Sequence, residues 1–264
     1  MTKIIKCDSM ELLLKIINET INSKMEYIWR GQVKNWTITS SLYRHFMNFN
    51  TPEGKRTRLE DHAIDVFRKS LMFDFKELYE KIIRSKFEAM LVMQHYGCPT
   101  RLIDWSMSPY IALFFAVESA NDSCFLYKLN LTEYQSKIKD FLYLDDYDGE
   151  ILNFLPDSVL EYLLDDKNIN FPIPIAPEFT TNRELAQQTA MLLDLRFNSK
   201  IETSIMDVAP SSLEIIQISN SIINDVINHL NAMNIDSIRL FDSIEGRALY
   251  AKNQISHYHE KEKT

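Results

Sequence analysis

Glycine and proline are scarce in this sequence, 5 and 8 among 264 residues, and there is no Gly/Ser or Pro tract from which to build a flexible linker. One domain spanning 1–264 is therefore the expected organisation. The three cysteines, Cys7, Cys98 and Cys124, are odd in number and lack C-x-x-C spacing, which argues against a disulfide framework or a zinc site and favours a reducing, cytoplasmic setting. Long apolar runs are missing too. No stretch approaches the ~18 uninterrupted apolar residues of a spanning helix, and Lys, Asp, Glu and Asn interrupt the first segment where a secretory leader would be apolar, so no membrane association is expected. An excess of basic residues is also absent: 29 Lys and Arg against 37 Asp and Glu give a net charge of −8, which disfavours nucleic acid as a partner while permitting a local basic pocket. There is no glycine-rich phosphate loop, G-x-S-x-G elbow or dinucleotide fingerprint, and the histidines lack ligand spacing. Walker, hydrolase and Rossmann chemistry are thereby excluded, and no metal is expected.

What is present reads as a folded protein, with 45% hydrophobic and 25% charged residues. Asp8 or Ser9 caps a helix carrying Leu12, Leu13, Ile16, Ile17 and Ile21 at helical spacing. Residues 26–31 read as a short strand with Arg30 at its end. Two long helices are expected between 56 and 96, the first presenting Leu59, Ala63, Val66 and Phe67 to the core, the second Leu78, Ile82, Phe87, Met90 and Leu91. Gly97 and Pro99 stop that run, and residues 100–105 are extended. Ser106 or Ser108 then caps a helix that is apolar almost all round and so belongs in the centre. Further strands are expected at 124–129 and 214–218, an edge strand or surface loop at the proline-rich 171–177, and helices over 221–230 and beyond Phe241. Asp145, Asp146, Asp148 and Glu150 read as a solvated acidic face. The sum is an α+β fold, helix-rich around a small mixed or antiparallel sheet.

Two segments stand apart from this generic pattern. Tyr27-Ile-Trp-Arg-Gly-Gln32, together with Ser40-Ser-Leu-Tyr-Arg44, and the long run from Gln94 to Val117, holding His-Tyr-Gly-Cys-Pro-Thr-Arg-Leu-Ile-Asp-Trp-Ser, resemble the motifs of the FRG domain family, named for its aromatic-Arg-Gly signature. Arg183-Glu-Leu-Ala-Gln187-Gln188-Thr189-Ala-Met191 is similar to a later motif of that family, with Thr189 for Gly and Met191 for Phe. Leu240 to Gly246 looks like a degraded final one. The resemblance reaches from about residue 26 to about residue 250, and it suggests a toxin or antiphage effector with a protein partner such as an antitoxin.

The order of the motifs also resembles ADP-ribosyltransferase-like folds, in which an Arg ends a first strand, a Ser opens a helix after a second, and a Glu or Gln follows on a later one. That resemblance implies a nucleotide-like small molecule as ligand, with NAD as the substrate, and an NAD-consuming activity by ADP-ribosyl transfer or hydrolysis. Arg30, Asp104, Ser106 and Gln187 would then be catalytic. Arg30 offers a planar fork for phosphates. Gly31 lets a ring's carboxamide approach the main chain. Trp29 or Tyr96 would stack on the ring. Gln32, His95, Arg101, Ser108, Arg183 and Gln188 complete the candidate ligand-binding set. Gln187 is neutral where a carboxylate would offset an oxocarbenium charge, so Asp104 is the candidate for that charge.

Each of these residues has a structural reading as well. Arg30 or Arg101 pairs with Asp104 inside the protein. Trp29 and Trp105 fill the core. Ser106 or Ser108 serves only as a helix cap, and His95 packs at a helix end. Under those readings the protein is a non-catalytic recognition module.

Overall fold

The computed structural model describes residues 3–142, 157–165, 168–175, 182–241 and 243–261. The acidic stretch from Asp145 to Glu150, Pro177 and Asp242 of the final motif lie outside them. The chain begins with strand β1 (Lys3–Cys7). Ser9 then caps α1 (Met10–Ile21), accepting from the Leu12 amide at 3.3 Å, and Leu13 and Ile17 are buried as their spacing requires. After β2 (Tyr27–Gln32) come α2 (Ser41–Asn48), α3 (Glu53–Leu71), α4 (Lys76–Ile82) and α5 (Lys86–His95).

The two long helices expected between 56 and 96 are thus three, because Ser85 starts a new one by accepting from the Glu88 amide at 3.0 Å. The face of α3 is turned as well. Leu59 and Val66 are 44% and 53% exposed, whereas Ile64 and Glu60 are buried, since Glu60 is drawn inward to an ion pair with Arg101. Gly97 ends the helical run with φ of +83°, a left-handed conformation in which a side chain is strained.

Strand β3 (Leu102–Ser106) leads into α6 (Pro109–Val117), whose cap is Ser108, accepting from the Ile111 amide at 3.4 Å. Seven of the nine residues of α6 are buried, so this helix does run through the interior. Then follow β4 (Cys124–Asn130), α7 (Leu131–Leu142), α8 (Asp157–Asp165), β5 (Ile173–Ile175), α9 (Asn182–Ala186) and β6 (Thr189–Leu193). The chain continues through α10 (Ile201–Val208), β7 (Leu213–Ile218), α11 (Ile223–Ala232), α12 (Ser237–Leu240) and α13 (Ile244–Lys261).

The strands form one mixed sheet in the order β1-β7-β4-β2-β3-β6-β5, parallel between β1 and β7 and antiparallel elsewhere. Two apolar clusters hold helices to it. In one, Ile64, Ile82, Met90, Tyr134 and Ile205 pack with Ile28, Trp105 and Leu192. In the other, Leu13, Ile17, Leu113 and Val226 pack with Trp29, Leu126 and Ile216. The fold is α+β and helix-rich, with a sheet larger than the small one expected. The added strands are β1, whose two isoleucines between lysines gave little pattern, and β6, where Thr189 to Leu193 are all buried and so show no alternation. β5, with Pro174 at its middle, is an edge strand. Among the described residues no helix is long and apolar enough to cross a membrane.

One irregularity of the sheet opens a space between two of its central strands. β2 pairs with β4 at six positions and β3 with β6 at five, yet β2 and β3 register only at Trp29 opposite Ser106. Beyond that pair the two strands part.

Candidate functional site in the opening between β2 and β3

A cavity of about 830 Å³ occupies the opening. Its walls come from the end of β2, the loop that follows it, β3, α6, and the α9–β6 turn. A second cavity of about 240 Å³ adjoins it and shares Arg30, Thr39, Arg44 and Asp104 with it.

The chain makes this charged junction by breaking its own strand pattern. In β3 every side chain is buried except that of Asp104. Its Oδ1 accepts from Gln94 Nε2 at 2.6 Å, and Gln94 Oε1 in turn accepts from the Thr100 hydroxyl, so the carboxylate is aimed by a two-step bracket. Although Asp104 meets the solvent of the cavity, the protein walls around it raise its pKa, against the opposing pull of Arg30 and the Gln94 hydrogen bond. Burial lowers the pKa of Arg30, opposed by Asp104.

Arg30 donates through Nη1 to the main-chain carbonyl of Asp104, not to its carboxylate, and its buried Nε has no partner. Arg44 reaches in from α2, donating through Nη1 to the carbonyl and hydroxyl of Thr39 at 2.6 and 3.3 Å. Arg183 enters from α9 and lies over the Phe241 ring, 5.2 Å from its centroid. Three arginines therefore share a cavity in which Asp104 is the one lining carboxylate among the described residues.

Of the residues singled out in the sequence, the fold brings Trp29, Arg30, Gly31, Gln32, Asp104, Ser106, Arg183 and Gln187 to this cavity. Several are held by internal bonds. Ser106 Oγ donates to the Gln187 carbonyl at 2.8 Å and accepts from the Ser108 amide at 3.1 Å. Gln187 Nε2 donates to the Leu240 carbonyl at 3.0 Å, and Gln32 Nε2 to that of Trp36 at 3.0 Å. Trp29 is buried among the apolar side chains of α6 and its neighbours. Gly31 serves packing rather than ring approach on its Cα side, since a Cβ there would stand 1.9 Å from the Ala112 carbonyl oxygen of α6.

Five others lie elsewhere. Arg101 is 2% exposed and forms a two-pronged ion pair with Glu60, with Nε to Oε1 at 2.6 Å. Its remaining nitrogen donates to the Asp194 and Leu195 carbonyls, and the Phe197 ring lies 4.3 Å away, so it is a core cation and not a ligand contact. Arg30 does not make the strand-tying ion pair with Asp104 expected under the structural reading, nor does Arg101 make the local one. Tyr96 is 72% exposed and meets His95 edge-on, outside both cavities. Ser108 is the cap of α6. Gln188 sits at the turn before β6 with φ of +44°, its carbonyl accepting from the Met107 amide.

Sequence reasoning missed Arg44, Thr39, Gln94, Trp36 and Phe115. Arg44 and Gln94 stood inside the quoted motifs, and their polarity within otherwise apolar or small-residue runs was the available signal. Trp36, 54% exposed on the cavity wall, had only its place beside the first motif as a signal.

The FRG domain family model matches residues 25–124. The chain contains an FRG domain. No curated protein and no solved structure matches the chain. The FRG match takes in β2, α2 to α5, β3 and α6 and ends at the first residue of β4. It therefore holds Arg30, Arg44, Gln94, Asp104 and Ser106, while Arg183 and Gln187 come to the FRG cavity from beyond the matched segment.

Proposed function

We propose that the FRG cavity binds a nucleotide-like anion, with NAD the first candidate, and that the protein transfers or hydrolyses its ribosyl group. The observation that carries this reading is the convergence of Arg30, Arg44 and Arg183 with the exposed ring of Trp36 on one cavity. Arginine forks suit phosphate oxygens, and aromatic rings suit a flat base.

In the reaction the bond between the ribose anomeric carbon and the nicotinamide nitrogen breaks, and nicotinamide leaves with the bonding electron pair. The positive charge left on the sugar is offset by the Asp104 carboxylate, which Gln94 holds in place. Water or an acceptor hydroxyl then adds to the anomeric carbon and gives its proton to Asp104. Gln187 contributes no charge, and its amide is anchored to Leu240.

The test is to incubate the protein and its Arg30→Ala and Asp104→Asn variants with NAD, following nicotinamide release and thermal melting together. Release by the parent alone, with all three melting alike, supports the enzymatic reading. A toxin or antiphage effector role adds a cellular expectation: expression of the parent arrests growth and Asp104→Asn does not.

A second reading, a non-catalytic recognition module, is favoured by the internal bonds of Ser106 and Gln187, which use those side chains to join β3, the turn between α9 and β6, and α12. It expects no nicotinamide release from any variant and a much lower melting temperature for Arg30→Ala.

A further inference from the structure

The junction between the two cavities carries more positive charge than the protein itself answers. Arg30 and Arg44 line both chambers, and burial first, then the charge of Arg44, depresses the Arg30 pKa, with Asp104 pulling the other way. Among the described residues neither guanidinium has a carboxylate within ion-pair distance, in contrast to Arg101, which has Glu60. Two donors on residues that line the larger cavity are orphaned as well. Arg30 Nε and Trp105 Nε1 are buried without a partner, although Trp105 is only 3% exposed and a buried N–H ordinarily finds an acceptor. Arg30 and Trp105 both line the larger cavity.

We infer that Arg30, Arg44 and the Trp105 indole N–H together bind a multiply charged oxyanion of the pyrophosphate class, and that the ligand continues from it into both cavities. The inference rests on the nucleotide reading for the organic parts of the ligand, but the oxyanion site stands on the orphaned donors and unbalanced arginines alone. Two guanidiniums have the donors for several phosphate oxygens, and a neutral indole N–H adds one bond without further repulsion. The chamber of about 830 Å³ takes the larger organic group and that of about 240 Å³ a smaller one. Thr39 holds Arg44 at the junction through its carbonyl and hydroxyl, leaving the other nitrogens of the fork for the ligand.

The experiment is calorimetric titration of the full chain with inorganic pyrophosphate, ADP-ribose, NAD and adenosine, alongside Arg44→Ala and Trp105→Phe, with melting temperatures as the control for folding. The parent is expected to bind pyrophosphate and the two nucleotides, and adenosine more weakly. Loss of a charge-assisted hydrogen bond should weaken pyrophosphate and ADP-ribose by about tenfold or more in each variant, with adenosine unchanged. Pyrophosphate binding that depends on Arg44 and Trp105, without NAD cleavage, sustains the oxyanion site while the enzymatic reading falls. NAD cleavage with either variant binding pyrophosphate like the parent overturns the oxyanion site while that reading stands. A parent that binds none of the anions overturns it too.

Discussion

Arg30 and Arg101 lie in or next to adjacent strands, and their surroundings set them apart. Arg101 has both oxygens of Glu60, two carbonyls and a ring around it, with no contact to the cavity. Removing it strands a buried carboxylate, so Arg101→Ala should lose about 3–5 kcal/mol in a urea titration. Arg30 has one carbonyl partner and an unused nitrogen, and Arg30→Ala should cost far less stability than Arg101→Ala in the same titration. Asp194, fully buried beside Arg101, has its pKa pushed up to about 6 by burial, with the amides of Asn198 and Arg196 and the Ser40 hydroxyl pulling the other way. A carboxyl whose folded pKa lies above its unfolded value stabilises the fold below the unfolded pKa and loses that contribution as pH rises. Over the whole titration, from below pH ~3 to above pH ~7, the parent should lose ~3 kcal/mol through this group, about two thirds of it between pH ~4 and pH ~6, and the slope should flatten in Asp194→Asn. The identity of Arg101's partner was not legible in the sequence, because Glu60 lies 41 positions away on a helix whose apolar pattern pointed to a different face.

At the scale of elements, α6 is pressed onto β2 where Gly31 has no side chain. A Cβ there would meet the Ala112 oxygen at 1.9 Å and the Ala116 nitrogen at 2.6 Å, both main-chain atoms that cannot turn aside. Gly31→Ala should lower stability by about 3 kcal/mol or more in a circular-dichroism melt. Ser108→Ala removes only the cap of α6 and should cost about 1 kcal/mol. The helices α1 and α6 and the strands β2, β3, β4 and β7 were readable because their apolar positions recur at the right spacing or end at a capping serine. The strand β6 was not. Its residues read as the tail of a motif, and a strand buried on both faces has no period to detect. The cavity was legible in part: the motifs gave Arg30, Asp104, Ser106 and Gln187, whereas Trp36 and Thr39 depend on how the loop after β2 folds back.

At the scale of the whole molecule, the segment matched by the FRG model supplies β2 and β3 to the interior of the sheet, and their main ladder partners β4 and β6 come from beyond it. Residues 25–124 on their own should therefore give the narrow amide dispersion of an unfolded chain by NMR, whereas the full chain should show the wide dispersion of a sheet. The net charge of −8 around an arginine-lined cavity has a further expression. Added salt should weaken anion binding only modestly, because the attraction is local to the junction and the rest of the surface opposes it.

A sheet ordinarily has two margins, here β1 and β5. Because β2 and β3 meet at one register position and then diverge, this sheet has four, and two of them face each other across a gap in the middle of the molecule. Outer margins invite other proteins to dock strand against strand. The inner pair borders the cavity instead, so that over this stretch the main chain of β2 and β3 faces a space for small molecules where a neighbouring strand would otherwise lie.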